Sequence, residues 1–199
     1  MKEKWDERYS QKEYIFGKEP NDFFKSQIDD LTPGRALFLG EGEGRNSVYA
    51  AKLGWSVDAY DISTEGMKKA QKLAEENNVT INYQIGDVLA TKFTENHYDA
   101  VVLIYFHIEN ESREKFWEDI LKSLKPNGAL ILLVYDKDNL TIGESGPSDI
   151  NLLFALEDIA EPLIDLEFKL FSKELLSRTK MGKEQVSSVI KFVGLKRQQ

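Results

Sequence analysis

The sequence predicts an α/β fold: a doubly wound, mostly parallel sheet with helices on both faces, closed by an antiparallel pair of strands. Three observations carry this. Strand-like apolar runs alternate with amphipathic helical stretches. One run, YDAVVLIYF at 98–106, is almost wholly apolar, as a parallel strand covered on both faces should be. The last two strand-like runs are joined by SRTKMGKEQ (177–185), which is too short for a crossover helix, so they should pair antiparallel.

The elements follow in order. ALFL (36–39) reads as a buried strand, and NSVYAAKL (46–53) as a helix that stops at Gly54. SVDAYD (56–61) is a second strand. TEGMKKAQKLAEE (64–76) is a second helix, with Met67, Ala70, Leu73 and Ala74 in one apolar stripe. INYQIGD (81–87) gives a third strand and 98–106 a fourth. A helix at 111–124 shows Phe116, Ile120, Leu121 and Leu124 on one face, and KPNG reads as its stop. ALILLVY (129–135) is the fifth strand, a helix is expected near 149–160, and DLEFKLFSKELL and VSSVIKFVGLK form the closing pair.

No repeat or linker divides the 199 residues, so one domain is expected. Cysteine is absent, which excludes disulfides, thiolate metal sites and a cysteine nucleophile; no metal site is expected. No apolar run approaches the roughly 20 residues of a membrane span, and MKEKWDERYSQKEY lacks the apolar core of a secretory signal. A cytoplasmic protein without membrane contact is the expectation. The net charge of −8 repels phosphate backbones, so a small molecule is favoured over nucleic acid.

The chemistry concentrates in LFLGEGEGRN (37–46). Gly40, Gly42 and Gly44 follow the first strand and open the first helix, where a doubly wound sheet binds ligands. Asp61 ends the second strand about 20 residues on, where an acid accepts from both ribose hydroxyls. Asp87 closes the third strand; it can accept from an adenine amine, with the Val88 backbone at the ring edge. The alternative is a plain Asx turn. A dinucleotide site wants G-x-G-x-x-G, whereas here the third glycine comes one residue early and is followed by Arg45. Glu41 and Glu43 would repel a pyrophosphate and suit an ammonium or a sulfonium. A nicotinamide-dependent oxidoreductase is therefore disfavoured.

With GEGEG, Asp61, Asp87 and the antiparallel final pair in view, the chain resembles the class I S-adenosylmethionine-dependent methyltransferases. It is most similar to their small tellurite-resistance and thiopurine-type branch, through WDERYS, YIFGKEPNDF and EGEGRNSVYAAKLGWSVDAYDIS. The resemblance implies a Rossmann-like seven-stranded sheet in the order 3-2-1-4-5-7-6 with strand 7 antiparallel. It divides the single domain, 1–199, into an N-terminal lid segment and helix (1–30), a cofactor-binding core (31–136) and a substrate-side loop, helix and hairpin (137–199). S-adenosylmethionine would lie across Gly40–Gly44, Asp61 and Asp87, with Ile62, Val88, Phe106 and Tyr14 also in the cofactor set. Tyr14, Phe16, Gly17, Pro20 and Asn21 match the lid, which Trp5 would pack down.

The chain departs from that class at Phe38, where an acid usually stands two residues before the first glycine. Glu41 is expected to take over by holding the methionyl ammonium. Arg45 would pair with a carboxylate, and Asn46 would cap or brace the helix start. YFHIEN (105–110) ends the fourth strand on the acceptor side, and His107 is the candidate base or orienting group; the alternative is a packing or capping histidine. His97 lies in a polar turn. DKDNLTIGESGPSDINLL, with Gly143, Gly146 and Pro147, faces the same rim, and the histidine-glycine feature of related final hairpins is missing. The Asn/Asp-Pro-Pro-aromatic motif of base-amine methylation is absent as well. The expected function is methyl transfer to a small acceptor of the soft S/Se/Te type. The alternative is a non-catalytic protein that binds S-adenosylmethionine or S-adenosylhomocysteine, and a monomer is favoured with the oligomeric state open.

Overall fold

Apolar residues on alternate positions of the central strands divide between two buried layers, and this division places the helices. Ala36 and Phe38 join one layer with Phe24, Ile28, Val48, Ala70 and Leu73. Leu37 and Leu39 join the other with Phe116, Trp117 and Ile120. The computed structural model describes residues 1–143, 145–180 and 183–198. The elements are α1 (Lys2–Tyr9), α2 (Asp22–Ile28), β1 (Arg35–Leu39), α3 (Arg45–Lys52), β2 (Ser56–Asp61), α4 (Thr64–Glu76), β3 (Asn82–Ile85), β4 (Tyr98–Ile104), α5 (Asn110–Ser123), β5 (Leu124–Tyr135), α6 (Asn139–Ile142), α7 (Glu157–Ala160), β6 (Leu166–Lys180) and β7 (Lys183–Lys196).

The seven strands form one sheet in the order β3-β2-β1-β4-β5-β7-β6. β1 to β5 run parallel, while β7 is antiparallel to both β5 and β6. The expected order and strand direction are both present. No helix among the described residues is long and apolar enough to cross a membrane.

Three expected boundaries are corrected. α5 ends at Ser123, just before KPNG, but the fifth strand does not wait for Ala129: Leu124 already pairs with Tyr98, and the register shifts before Ala129 meets Ala100. Asn127, at φ 64°, takes the bend, and a Cβ on Gly128 would stand 2.9 Å from the Tyr98 carbonyl oxygen. The helix near 149–160 is broken into a 3-10 turn at Ile150–Leu152 and the short α7. Between them Phe154 bridges to Asp136, and the Arg113 guanidinium takes the Asn151 and Leu153 carbonyls that a helix would have used. Finally, SRTKMGKEQ is mostly strand, since β6 runs to Lys180 and β7 starts at Lys183; Met181 and Gly182 lie outside the described residues.

β5 pairs with β7 only over Val189–Leu195. Beyond Tyr135 the hairpin therefore continues alone past the carboxyl end of β5, on the rim where the site lies. Ser188 ties it down: its N–H donates to Asn139 Oδ1 at 3.0 Å, and its hydroxyl donates to Asp136 Oδ1 at 3.0 Å.

Candidate functional site

The loop from β1 to α3 is built on three glycines in the left-handed region, at φ 65°, 61° and 88° for Gly40, Gly42 and Gly44. All three are also crowded, Gly40 by the Phe106 ring, which a Cβ would meet at 2.3 Å. A Cβ on Gly42 would stand 2.6 Å from the Tyr9 hydroxyl oxygen, and one on Gly44 would stand 2.6 Å from Ala70 Cβ. The chain needs glycine here because α1 and α4 close on the loop.

Asp61, at the end of β2, organises that loop. Its Oδ2 accepts from Gly42 N at 2.9 Å and its Oδ1 from Ser63 N at 2.8 Å. Burial pushes its carboxyl above the ordinary range against these bonds. The Tyr83 hydroxyl donates to the Gly42 carbonyl at 2.7 Å, and Gly86 N donates to the Asp61 carbonyl at 3.0 Å. The carboxyl ends of β1, β2 and β3 are thus one hydrogen-bonded unit.

The two glutamates of GEGEG are both engaged with the chain itself. Gly44, the residue before α3, has no side chain to cap the helix. Glu41 does so instead: its Oε1 accepts from Asn46 N at 3.0 Å and from Ser47 N at 2.7 Å. Burial pushes this carboxyl up to about 7, although these amides and the Arg45 charge favour its ionised form. Glu43 holds the N-terminal segment, accepting from Ile15 N at 2.8 Å and from Lys69 Nζ at 2.7 Å. This second role was missed in the sequence, where the signal was only an acid beside a glycine.

The N-terminal segment lies across this unit. Asp6 of α1 accepts from the Ser63 hydroxyl at 2.7 Å and from Glu65 N at 3.1 Å. Trp5 stacks on Tyr9 with ring centroids 5.2 Å apart. Phe16 has the guanidinium carbons of Arg8 and Arg45 at 5.1 Å and 5.7 Å from its ring centre. Arg45 also donates to the Phe16 carbonyl at 3.0 Å. Asn46 braces the segment from α3, its side-chain oxygen accepting from Asn21 N at 2.9 Å. Tyr14 is set apart, its hydroxyl donating to the Lys69 carbonyl at 3.0 Å, and it reaches the glycine loop through Lys69 and Glu43.

Beyond β4, Phe106 closes on Gly40, where a Cβ would stand 2.3 Å from its ring. His107 stacks on Tyr135 at 5.9 Å. Burial, with the charges of Arg8 and Lys4, brings its pKa down to about 4, so the ring is neutral near pH 7. Asp87 is exposed and caps the Val88–Ala90 turn by accepting from Leu89 N at 2.9 Å, an Asx turn. Val88 is buried, and Ile62 sits half-buried beside Asp61. A cleft of about 210 Å³ opens next to Val88, between that turn and α5.

This sheet order, with a glycine turn after β1 locked to an acid at the end of β2, is that of the Rossmann-like methyltransferase fold. Residues 36–128 match the family described as a methyltransferase domain. The probable S-adenosyl-L-methionine-dependent methyltransferase TehB of Haemophilus influenzae (strain Rd) is 25% identical over 150 residues, covering 73% of this chain and 50% of that protein. The TehB crystal structure from Haemophilus influenzae superposes with a TM-score of 0.77 at 18% identity, over 98% of this chain and 67% of that one.

Two other relatives carry different names. Phosphoethanolamine N-methyltransferase 2 of Caenorhabditis elegans is 30% identical over 115 residues, covering 56% of this chain and 26% of that protein. The ubiquinone biosynthesis O-methyltransferase of Rickettsia conorii is 29% identical over 111 residues, covering 55% and 37%. The chain spans half the length or less of these curated relatives.

Proposed function

We propose that the protein transfers a methyl group from S-adenosylmethionine to a small acceptor whose nucleophilic atom is a soft one of the sulfur, selenium or tellurium type. The observation that carries the reading is the lock between Asp61 and the Gly42 amide. It puts an acid with two oriented oxygens beside a turn that only glycine can make, the combination a nucleoside with a charged tail requires.

The residues fit that cofactor. Asp61 would take the ribose hydroxyls, with Ile62 beside it. The backbone of Gly40–Gly44 would receive the methionyl end, and Asp87 and Val88 the adenine, next to the cleft at α5. Glu41 would meet the ammonium, which would draw off the proton that its raised pKa favours. Arg45 and Asn46 hold the lid segment to the start of α3, Phe106 covers Gly40, and Tyr14 anchors the segment at α4. When bound, the sulfonium supplies a methyl carbon already activated for in-line displacement. The protein then has to align the acceptor and exclude water, and α1 and the lid segment lie where they can do the second.

The soft acceptor is supported by the state of His107. A neutral imidazole whose conjugate acid has a pKa of about 4 is a poor base for an amine or hydroxyl proton, but it can accept a hydrogen bond that orients an acceptor. A thiol ionises close enough to neutrality to need no strong base. The relatives' names include N- and O-methyltransferases, so the acceptor must be tested directly.

The test is calorimetric titration of wild type and Asp61→Ala with S-adenosylmethionine, S-adenosylhomocysteine and NAD, followed by product assays on a thiol series. Binding of both adenosyl ligands but not NAD, lost in the variant, is expected. Silence with both adenosyl ligands would overturn the reading. Binding without methyl consumption would leave a cofactor-binding protein.

A further inference from the structure

Of the four non-glycine residues at positive φ among the described residues, three are asparagines, which tolerate that conformation: Asn78, Asn96 and Asn127. The fourth is Tyr105, at φ 59°, a bulky aromatic held in the left-handed region at the carboxyl end of β4. Such strain persists only where its surroundings impose it, and it clusters at functional sites. The Tyr105 amide donates to the Leu133 carbonyl at 2.7 Å, and the ring lies 4.7 Å from Tyr135 at an interplanar angle of 33°. His107 lies against the same Tyr135 ring at 5.9 Å and 25°. Three near-parallel, half-buried rings therefore share the carboxyl ends of β4 and β5, next to Phe106 and the glycine loop.

Tyr135 is the centre of that stack. Gly146 approaches it so closely that a Cβ there would meet the ring at 3.1 Å. The same loop is tied to the overhanging hairpin by the Ser145–Ser187 hydroxyl contact at 2.8 Å. The nearest acid in sequence, Asp136, is buried and held by Lys173 Nζ at 2.7 Å and by Ser188. The setting is aromatic.

We infer that Tyr135 is the residue that selects the methyl acceptor, its ring being the wall against which an acceptor with an apolar, polarisable body is held. Sulfur and aromatic groups both gain on such a surface. The inference rests on the methyl-transfer reading above and adds to it the side of the site that distinguishes one acceptor from another. Tyr105 is then a positioning residue, its strained backbone setting its ring against Tyr135.

The experiment compares thiophenol with 2-mercaptoethanol, a thiol without an aromatic body, on wild type, Tyr135→Leu, Tyr135→Phe and Tyr105→Asn, with the Kd of S-adenosylhomocysteine measured for each. Wild type should prefer thiophenol. Tyr135→Leu should raise the thiophenol KM about tenfold while the Kd for S-adenosylhomocysteine changes less than about twofold. Tyr135→Phe, which keeps the ring, should stay near wild type. Tyr105→Asn should unfold at an equal or higher temperature, because asparagine tolerates the conformation, yet lose thiophenol affinity; a merely structural tyrosine would not separate the two. If Tyr135→Leu fails to fold, the Phe and Asn variants carry the test.

An unchanged thiophenol KM in Tyr135→Leu, or an equal loss of S-adenosylhomocysteine binding, would overturn the inference. If wild type binds S-adenosylhomocysteine but neither methylates thiophenol nor broadens its NMR lines, the inference falls and the cofactor reading stands. If S-adenosylhomocysteine does not bind, both fall.

Discussion

Glu41 shows at the scale of one residue how a helix cap and burial compete over a carboxylate. It accepts from two amides of α3, yet burial pushes its pKa up to about 7 from the ordinary 4.5. A folded pKa above the unfolded one contributes stability that is fully present below pH 4.5 and is lost as the pH rises through 7. The difference amounts to about 3 kcal/mol. Glu41→Gln keeps an oxygen for the amides and removes the charge. It should therefore be more stable than wild type at pH 8 and indistinguishable near pH 4.5, as read by urea unfolding at the two pH values. An ammonium arriving beside Glu41 would ionise it, so binding of S-adenosylmethionine near pH 6 should release a proton in wild type and none in the variant. Titrations in two buffers of different ionisation enthalpy measure that release. Phe38 belongs to the same comparison. It is fully buried, with its ring 5.6 Å from Phe24, so the position where the class usually has an acid is here part of the core beneath α2.

At the scale of elements, boundaries were legible where the signal is local. The span of α4 matches because Ser63 caps it through Gly66 N, and β2 matches because its apolar alternation stops at the loop before that cap. They were not legible where a distant partner decides. Leu124–Gly128 becomes strand because Tyr98 is there to pair with it, and the expected helix at 149–160 breaks because Arg113 reaches over from α5. Arg113 is buried over the Phe154 ring at 3.8 Å, donates to the carbonyls of Ile108, Asn151 and Leu153, and pairs with Asp158 at 3.0 Å. No window of sequence contains those partners together. Arg113→Met should destabilise the fold by about 3 kcal/mol, because three carbonyls and a carboxylate lose their donor at once. Denaturant midpoints at constant slope would register it; a loss below about 0.5 kcal/mol would mean that the segment repacks without the guanidinium. In the site, the glycines and Asp61 stood out by spacing, whereas Glu43 and the Tyr105–Tyr135 stack depend on contacts across 28 to 30 positions and did not.

For the whole molecule, the N-terminal segment differs in kind from the rest. The two buried layers are built from the sheet and from α2, α3, α4, α5 and α7, while α1 buries only Tyr9. Its attachments are largely polar or electrostatic, with Tyr14 packed at the edge of the core: Asp6 to Ser63 and Glu65, Glu43 to Ile15, and Phe16 beside two guanidiniums. Removing residues 1–19 should therefore leave a folded core while stripping the cover from the glycine loop. Ligand linkage makes the difference measurable. Saturation at a hundred times Kd stabilises a protein by about 2.7 kcal/mol, which for a chain of this size is a rise in Tm of about 5–10 °C. Wild type should show that rise with S-adenosylhomocysteine. The truncated chain at the same ligand concentration should still unfold cooperatively, with most of the rise gone, because the ligand would meet an open loop and a lower affinity. A full rise in the truncated chain would mean that the segment is packed on the site without contributing to it, and the roles given to Tyr14 and to the cover would have to be withdrawn.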